Sequence, residues 1–215
     1  MKNRHLFIFG GSPPFSKKFG EKFADLALSN KGKVAILFIE RDGWEEYMQI
    51  YTSILEEYYV ERFVYLPLSP NTNHSTLEEL SSCTGVIISG GETELYRDYI
   101  VDTPIGQHII ELYENGAPVA GFSAGALISP SNCVIPPIDN SRNEHLFLNG
   151  LGLIKDCVIS VHFSKWEEEE NLKAALARVN APIGYGIDDD EGLYFENEVL
   201  SETAGDNFYI FKQEK

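Results

Sequence analysis

Positive charge is scarce in this chain. Its 215 residues include 17 Lys and Arg against 33 Asp and Glu, a formal net charge of -16. Gripping a nucleic-acid backbone takes clustered cations, and so does an anionic membrane surface, so neither is expected as a partner. Cysteine is scarce as well. Cys83, Cys133 and Cys157 are odd in number, widely spaced, and form no CxxC. That argues against a disulfide framework and for a reducing compartment, here the cytoplasm. HExxH and Cys/His clusters are absent, so neither a metal nor another cofactor is expected. No apolar run approaches a bilayer span, and the one in "MKNRHLFIFGGSPP" is too short for the core of a secretory signal. The acidic surplus reads as a solubility device.

What the chain has is a series of short, continuous apolar runs closed by glycine or proline. "HLFIFGG" (5–11), "KVAILFIE" (33–40), "RFVYLPL" (62–68), "GVIISGG" (85–91) and "PVAGF" (118–122) share this form. Without alternation, they read as strands of a parallel sheet buried on both faces. Helical patterns lie between them. In "GWEEYMQIYTSILEEYYV", Trp44, Tyr47, Met48, Tyr51, Ile54, Leu55 and Tyr58 keep the spacing of one helix face. Ser75 and Glu78 have capping-box spacing, and residues 106–116 end in Asn-Gly, a helix stop. The order predicts a three-layer, doubly wound α/β fold within one domain, 1–215. Further on, "LIKDCVISVHF" (153–163) contains a strand, and Ser164 with Glu167 predicts a helix to about residue 179. From Ile183 onward, short strands alternate with Gly, Asp and Asn turns, as in a closing β meander.

The segment "PVAGFSAGALIS" carries the chemistry. In open α/β sheets, ligands bind at the carboxyl ends of the strands, and Ser123 stands at such an end, where a strand turns into a helix. A sharp turn there lifts the serine side chain over the sheet edge. It crowds the residues two before and two after, and these are Gly121 and Gly125. A tightly packed corner would also need small residues, so Ser123 requires a base before it reads as a nucleophile. Of the five histidines, His162 ends the strand "VISVH" on the same rim. The acid that orients the base has several sources: Asp139 in the loop after the elbow helix, or Asp188, Asp189, Asp190 and Glu191, of which at least two must form a solvated turn. The oxyanion needs two backbone donors. Ala124 follows the serine, and Gly90 and Gly91 end the neighbouring strand.

With these residues assembled, the sequence resembles the peptidase E (aspartyl dipeptidase) and cyanophycinase family of serine peptidases, whose fold is similar to the class I glutamine amidotransferase domain. The resemblance runs through "GVIISGGETELY", "PVAGFSAGALI", "LGLIKDCVISVHFS" and "IGYGIDDDEGLYF" in the family's order. It implies Ser123 as nucleophile, His162 as base, and Ala124 with Gly91 as oxyanion hole. Cyanophycinase-like members have an acid in a "GID(E/D)" context, which makes Asp189 the third member and Asp139 the alternative. Two departures stand out. Glu92 follows the Gly-Gly where the family usually has Asn or Asp, and no acid follows the elbow helix before Asp139. A preference for acidic substrate residues would need a cation, for which Arg97, Arg142 and Lys165 are candidates.

The expected activity is therefore hydrolysis of a short peptide, including Asp-Xaa or β-aspartyl bonds, by a serine exopeptidase. An α/β-hydrolase esterase would use the order Ser123, Asp139, His162. A glutaminase would have Cys at the elbow. A non-catalytic binding or regulatory domain on the same fold is favoured by Glu92, whose charge would oppose an oxyanion. The oligomeric state, a homodimer included, stays open.

Overall fold

The structure, a computed structural model, describes residues 2–11, 13–28 and 32–213. The first half of the chain runs β1 (His5–Phe9), α1 (Lys17–Leu28), β2 (Lys33–Phe38), α2 (Trp44–Glu57), β3 (Arg62–Pro67), α3 (His74–Ser81), β4 (Gly85–Ile88), α4 (Thr93–Ile100), α5 (Pro104–Glu114), β5 (Val119–Phe122) and α6 (Ala124–Ile128). The second half runs β6 (Asn132–Ile135), β7 (Leu146–Asn149), β8 (Cys157–Val161), α7 (Glu169–Val179), β9 (Ile183–Ile187), β10 (Gly192–Glu196), β11 (Val199–Ala204) and β12 (Phe208–Lys212).

The central sheet has the order β11-β10-β1-β5-β4-β2-β3. Its five strands from the first half are parallel, and β10 and β11 extend it antiparallel. Successive side chains of a strand point to opposite faces, and here both faces are covered. Leu6 and Ile8 of β1 join one hydrophobic cluster with α3, α4 and α5. Phe7 and Phe9 join another with α1 and α2. This is the three-layer, mostly parallel α/β arrangement that the unbroken apolar runs imply. The α1 side is rich in aromatics: Phe9 and Phe122 stack with centroids 4.3 Å apart, directly below the β5–α6 corner. Each such buried ring contributes roughly 2–3 kcal/mol.

The C-terminal strands expected as a closing meander are present, but two sheets share them. β10 and β11 form a hairpin on the central sheet, while β9 and β12 join β8 in a second, three-stranded sheet. β8 and β9 are parallel, with Val161 opposite Ile187, and α7 packs Leu172, Ala175 and Leu176 beneath them. Gly10 joins the two sheets at the end of β1. Its carbonyl accepts the His162 N–H (3.0 Å), and its N–H donates to the Glu191 carbonyl (3.2 Å). A Cβ on Gly10 would strike the carbonyls of Ile187 and Asp188, so this close approach of the sheets requires glycine.

Both capping boxes expected from spacing are replaced by other contacts. The N-cap of α3 is Asn73, whose Oδ1 accepts Thr76 N–H (2.8 Å) and also takes the Ser75 hydroxyl. Ser164 opens no helix. Its N–H and hydroxyl both donate to the Asp188 carboxylate (2.7 Å each), and α7 begins only at Glu169. A charge-assisted bond to a distant carboxylate outcompetes the weaker local cap.

Candidate active site

Ser123 sits between β5 and α6 with φ 47° and ψ -102°, backbone angles that a residue with a Cβ rarely takes. The corner is held by Ser123 N–H to the Phe9 carbonyl (3.1 Å) and by Leu127 N–H to the Ser123 carbonyl (3.0 Å). A Cβ on Gly121 would strike the Gly125 carbonyl, and one on Gly125 the Ile88 carbonyl. The two glycines thus permit the tight turn for the steric reason their spacing suggests. Residues around the corner are buried while Ser123 keeps partial access to solvent.

His162 leaves β8 with φ 49°. Its Nε2 lies 3.0 Å from Ser123 Oγ, and its Nδ1 is hydrogen-bonded to Asp189 Oδ1. The imidazole side chain is 13% exposed. The other oxygen of Asp189 meets Lys165 Nζ at 3.3 Å. Burial pushes the Asp189 carboxyl up, but the His162 hydrogen bond and charge, with help from Lys165, outweigh it and hold the group below its ordinary range. The β8–β9 register makes this contact: with Val161 opposite Ile187, residues 162 and 189 leave neighbouring strands on one rim.

The acidic run after β9 is less solvated than its composition suggests. Asp188 clips Ser164, Asp189 meets His162, and the buried Glu191 accepts the N–H groups of Asp206 and Asn207 (3.0 Å each). Asp190 is exposed, Asp188 and Asp189 are half-buried and Glu191 is buried, so three of the four carboxylates are engaged by the chain where at least two were expected to form a solvated turn. The clip and the pin flank Asp189 and fix the backbone that carries it.

Asp139 is not brought to His162. It ends a short 3-10 turn, Pro137–Asp139, and its carboxylate accepts the Thr93 hydroxyl at 2.6 Å. The ordering Ser123, Asp139, His162 therefore lacks its central hydrogen bond. Burial pushes the Asp139 carboxyl up to about 6, with Glu168 and Glu92 acting in the same direction and Thr93 and His162 against it. A folded-state pKa raised above the ordinary 3.8 favours folding fully below that value, and the benefit is lost as pH climbs to about 6. Asp139→Asn keeps an acceptor for Thr93 and has no charge to bury. It is expected to raise the unfolding free energy at pH 8 by about 1–3 kcal/mol and to give no gain at pH 3. Urea unfolding at the two pH values checks this, and equal stabilisation at both would refute the burial argument.

Of the two oxyanion-side glycines, Gly90 lies against the elbow: a Cβ there would stand 3.4 Å from Ser123 Cβ. Its N–H donates to Tyr51 Oη (3.2 Å), which leaves Gly91, one residue on and exposed, as the donor candidate opposite Ala124. Tyr96 fixes the same loop. Its hydroxyl donates to the Gly90 carbonyl (3.0 Å), shares a 2.6 Å bond with Ser89 Oγ and accepts Ile39 N–H (3.2 Å). Sequence reasoning placed Tyr51 among core positions and gave Tyr96 no role; nothing in their spacing signals a hydroxyl aimed at the rim. Glu92 is exposed and caps α4 through its carbonyl, which accepts Leu95 and Tyr96 N–H.

The three candidate cations are all engaged by carboxylates: Arg97 by Asp102 (2.7 Å) and Asp98, Arg142 by Glu94 (2.9 Å), and Lys165 by Asp189. The cysteines are free and buried, and burial pushes their thiols up to about 11 for Cys83 and about 12 for Cys133 and Cys157. Such thiols carry almost no thiolate at neutral pH. Among the described residues no group of His, Cys, Asp and Glu could hold a metal ion, and no helix is long and apolar enough to cross a membrane.

Fold and side chains together define an α/β protein with a serine, a histidine and a carboxylate aligned at a strand-to-helix elbow. The chain belongs to peptidase family S51, whose family model matches residues 11–203. It is 24% identical to the cyanophycinase of Geminocystis herdmanii (strain PCC 6308) over 132 residues, which are 60% of this chain and 48% of that relative. The match thus spans about half the length of the relative. In three dimensions it is similar to the crystal structure of a peptidase from an acI-B1 Actinobacterium, with a TM-score of 0.71 at 21% identity over 98% of this chain and 88% of that one. A protein described as peptidase E from Listeria monocytogenes EGD-e matches with a TM-score of 0.60 at 18% identity, over 99% of this chain and all of the other (100%). At these identities the likeness is one of fold.

Proposed function

We propose that the chain is a serine-type exopeptidase that hydrolyses short peptides through an acyl-enzyme, with Ser123 as nucleophile, His162 as base and Asp189 as orienting acid. The observation that carries this reading is the continuous line of hydrogen bonds from Ser123 Oγ through both ring nitrogens of His162 to Asp189. Ser123 Oγ attacks the scissile carbonyl while His162 Nε2 takes the hydroxyl proton. The tetrahedral oxyanion is received by the N–H groups of Ala124 and Gly91. Collapse breaks the C–N bond, and His162 returns the proton to the departing amine. Water then attacks the Ser123 ester, giving its proton to His162, which passes it to Ser123 Oγ as the C–O bond to the serine breaks and the acid is released. Asp189 accepts the Nδ1–H throughout and so fixes the tautomer that leaves Nε2 free to receive a proton.

Substrate choice follows the surroundings of the site. Asp-Xaa and β-aspartyl peptides belong among the candidates by family, yet Arg97, Arg142 and Lys165 already pair with carboxylates of the chain. A screen of dipeptides and tripeptides with acidic, neutral and basic residues on each side of the bond, β-aspartyl forms included, decides the matter. Turnover of at least one class is expected from the wild type and none from Ser123→Ala. A broad screen without Ser123-dependent turnover would favour a binding or regulatory role for the fold.

A further inference from the structure

The segment after His162 forms a turn of its own before α7. Trp166 N–H donates to the His162 carbonyl (2.9 Å), Glu167 N–H to Ser164 (3.2 Å), and Glu168 N–H to Phe163 (3.0 Å). Glu167 adopts φ 54° and ends the turn. A single helical turn sets side chains i and i+4 on one side. In this turn Trp166 is folded back against His162, with ring centroids 4.4 Å apart and planes inclined by 47°. The indole is half-buried and packs against the larger hydrophobic cluster, so it is backed by the core.

The imidazole is thus met from three directions. Ser123 holds the Nε2 edge, Asp189 holds the Nδ1 edge, and the Trp166 ring packs against the imidazole at a tilt. Both edge contacts depend on the ring plane, since rotation about the Cβ–Cγ bond would carry the two nitrogens off their partners together. An indole face also attracts the positive charge that the ring acquires when it takes the serine proton.

We propose that Trp166 is a positioning residue for His162: it holds the imidazole plane in which Nε2 faces Ser123 and Nδ1 faces Asp189. The proposal rests on the serine-hydrolase reading above, so its test uses one readout that depends on that reading and one that does not. The first is the rate at which phenylmethylsulfonyl fluoride sulfonylates Ser123, followed by intact mass, with Ser123→Ala as the blank. The second is the far-downfield proton resonance of the His162 Nδ1–H bonded to Asp189, assigned by its loss in His162→Gln. Trp166→Leu removes the aromatic face, and Trp166→Phe keeps one.

The expected result is labelling about tenfold slower in Trp166→Leu, the effect of losing a partly desolvated cation–π contact, with most of the rate kept in Trp166→Phe. The Nδ1–H resonance is expected to be broadened or lost in the Leu variant and retained in the Phe variant. Should Leu at this position unfold the chain, Trp166→Met supplies the non-aromatic comparison. A folded non-aromatic variant that keeps both the wild-type labelling rate and the resonance would overturn the proposal. If the wild type is not sulfonylated at all, the serine-hydrolase reading fails. The resonance then decides the positioning role alone, its persistence in the Leu variant counting against the role and its loss in favour.

Discussion

Ser123→Ala is expected to lower kcat on any peptide that the wild type cleaves by about 10⁵–10⁶-fold, with KM little changed. The substitution removes only Oγ, which is bonded to His162 Nε2 at 3.0 Å. The hydrogen bonds that hold the corner run through the backbone of residue 123 and persist in the variant. Thermal unfolding should therefore stay within a few degrees of the wild type, which separates a lost nucleophile from a lost fold. Without Oγ no acyl-enzyme forms, and residual rate can come only from the N–H groups of Ala124 and Gly91 acting on a bound substrate attacked by water. The three thiols cannot substitute, because they are buried and held in the neutral form. Chelators should leave the wild-type rate intact, since the proposed nucleophile is a hydroxyl activated by imidazole. A Ser123→Ala variant retaining more than about one hundredth of the rate would refute the acyl-enzyme, given that loss of a triad member costs orders of magnitude more.

The second large effect separates two carboxylates. Asp189→Asn is expected to lower kcat by about 10³–10⁴-fold with little change in KM, whereas Asp139→Asn should stay within a few-fold of wild type. Asp189 accepts a hydrogen bond from His162 Nδ1, which fixes the tautomer in which Nε2 can take the serine proton. An amide at 189 can offer its own N–H to Nδ1 and so favours the opposite tautomer, in which Nε2 carries a proton and cannot act as base. It also frees Lys165, whose ammonium lies 3.3 Å from the second carboxylate oxygen. Asp139 feels the charge of His162, yet its hydrogen bond goes to Thr93. Its amide replacement changes stability above neutral pH more than it changes catalysis. Steady-state kinetics of the two single variants on one peptide, at a pH where both are folded, make the comparison. A severe loss in Asp139→Asn with a mild one in Asp189→Asn would reverse the roles of the two acids.

What was legible in the sequence follows from rules that act over a few residues. Continuous apolar runs with glycine or proline ends read as buried strands, and alternation with helical patterns makes such strands parallel; the run at 62–68 departs from this, since β3 is an edge strand and stays largely half-buried or exposed. Parallel strands deliver their carboxyl ends to one rim. By that rule Ser123 after "PVAGF" and His162 after "VISV" share one rim, but β8 belongs to the second sheet, and the Gly10 carbonyl, which accepts His162 N–H, joins its end to the central sheet. The glycines at 121 and 125 were legible for an equally local reason, the steric crowding around one sharp turn.

Contacts between distant segments were decided by tertiary structure alone. The spacing of Ser164 and Glu167 signals a helix start, but a carboxylate 24 residues away takes both donors of Ser164 and delays α7 to Glu169. The closing strands have one composition, and their division between two sheets depends on which edges β1 and β8 leave unpaired. Which acid meets His162 had only one local signal, the "GID(E/D)" context of Asp189 known by resemblance, because Asp139, Asp188, Asp189 and Asp190 are chemically alike. The β8–β9 register brings the residues after Ile187 to the end of β8, Ser164 takes Asp188 and leaves Asp189 to His162, and Thr93 engages Asp139 elsewhere. Side-chain chemistry is written in the sequence; the partner that each group meets is set by strand register and by the close approach of two sheets at Gly10.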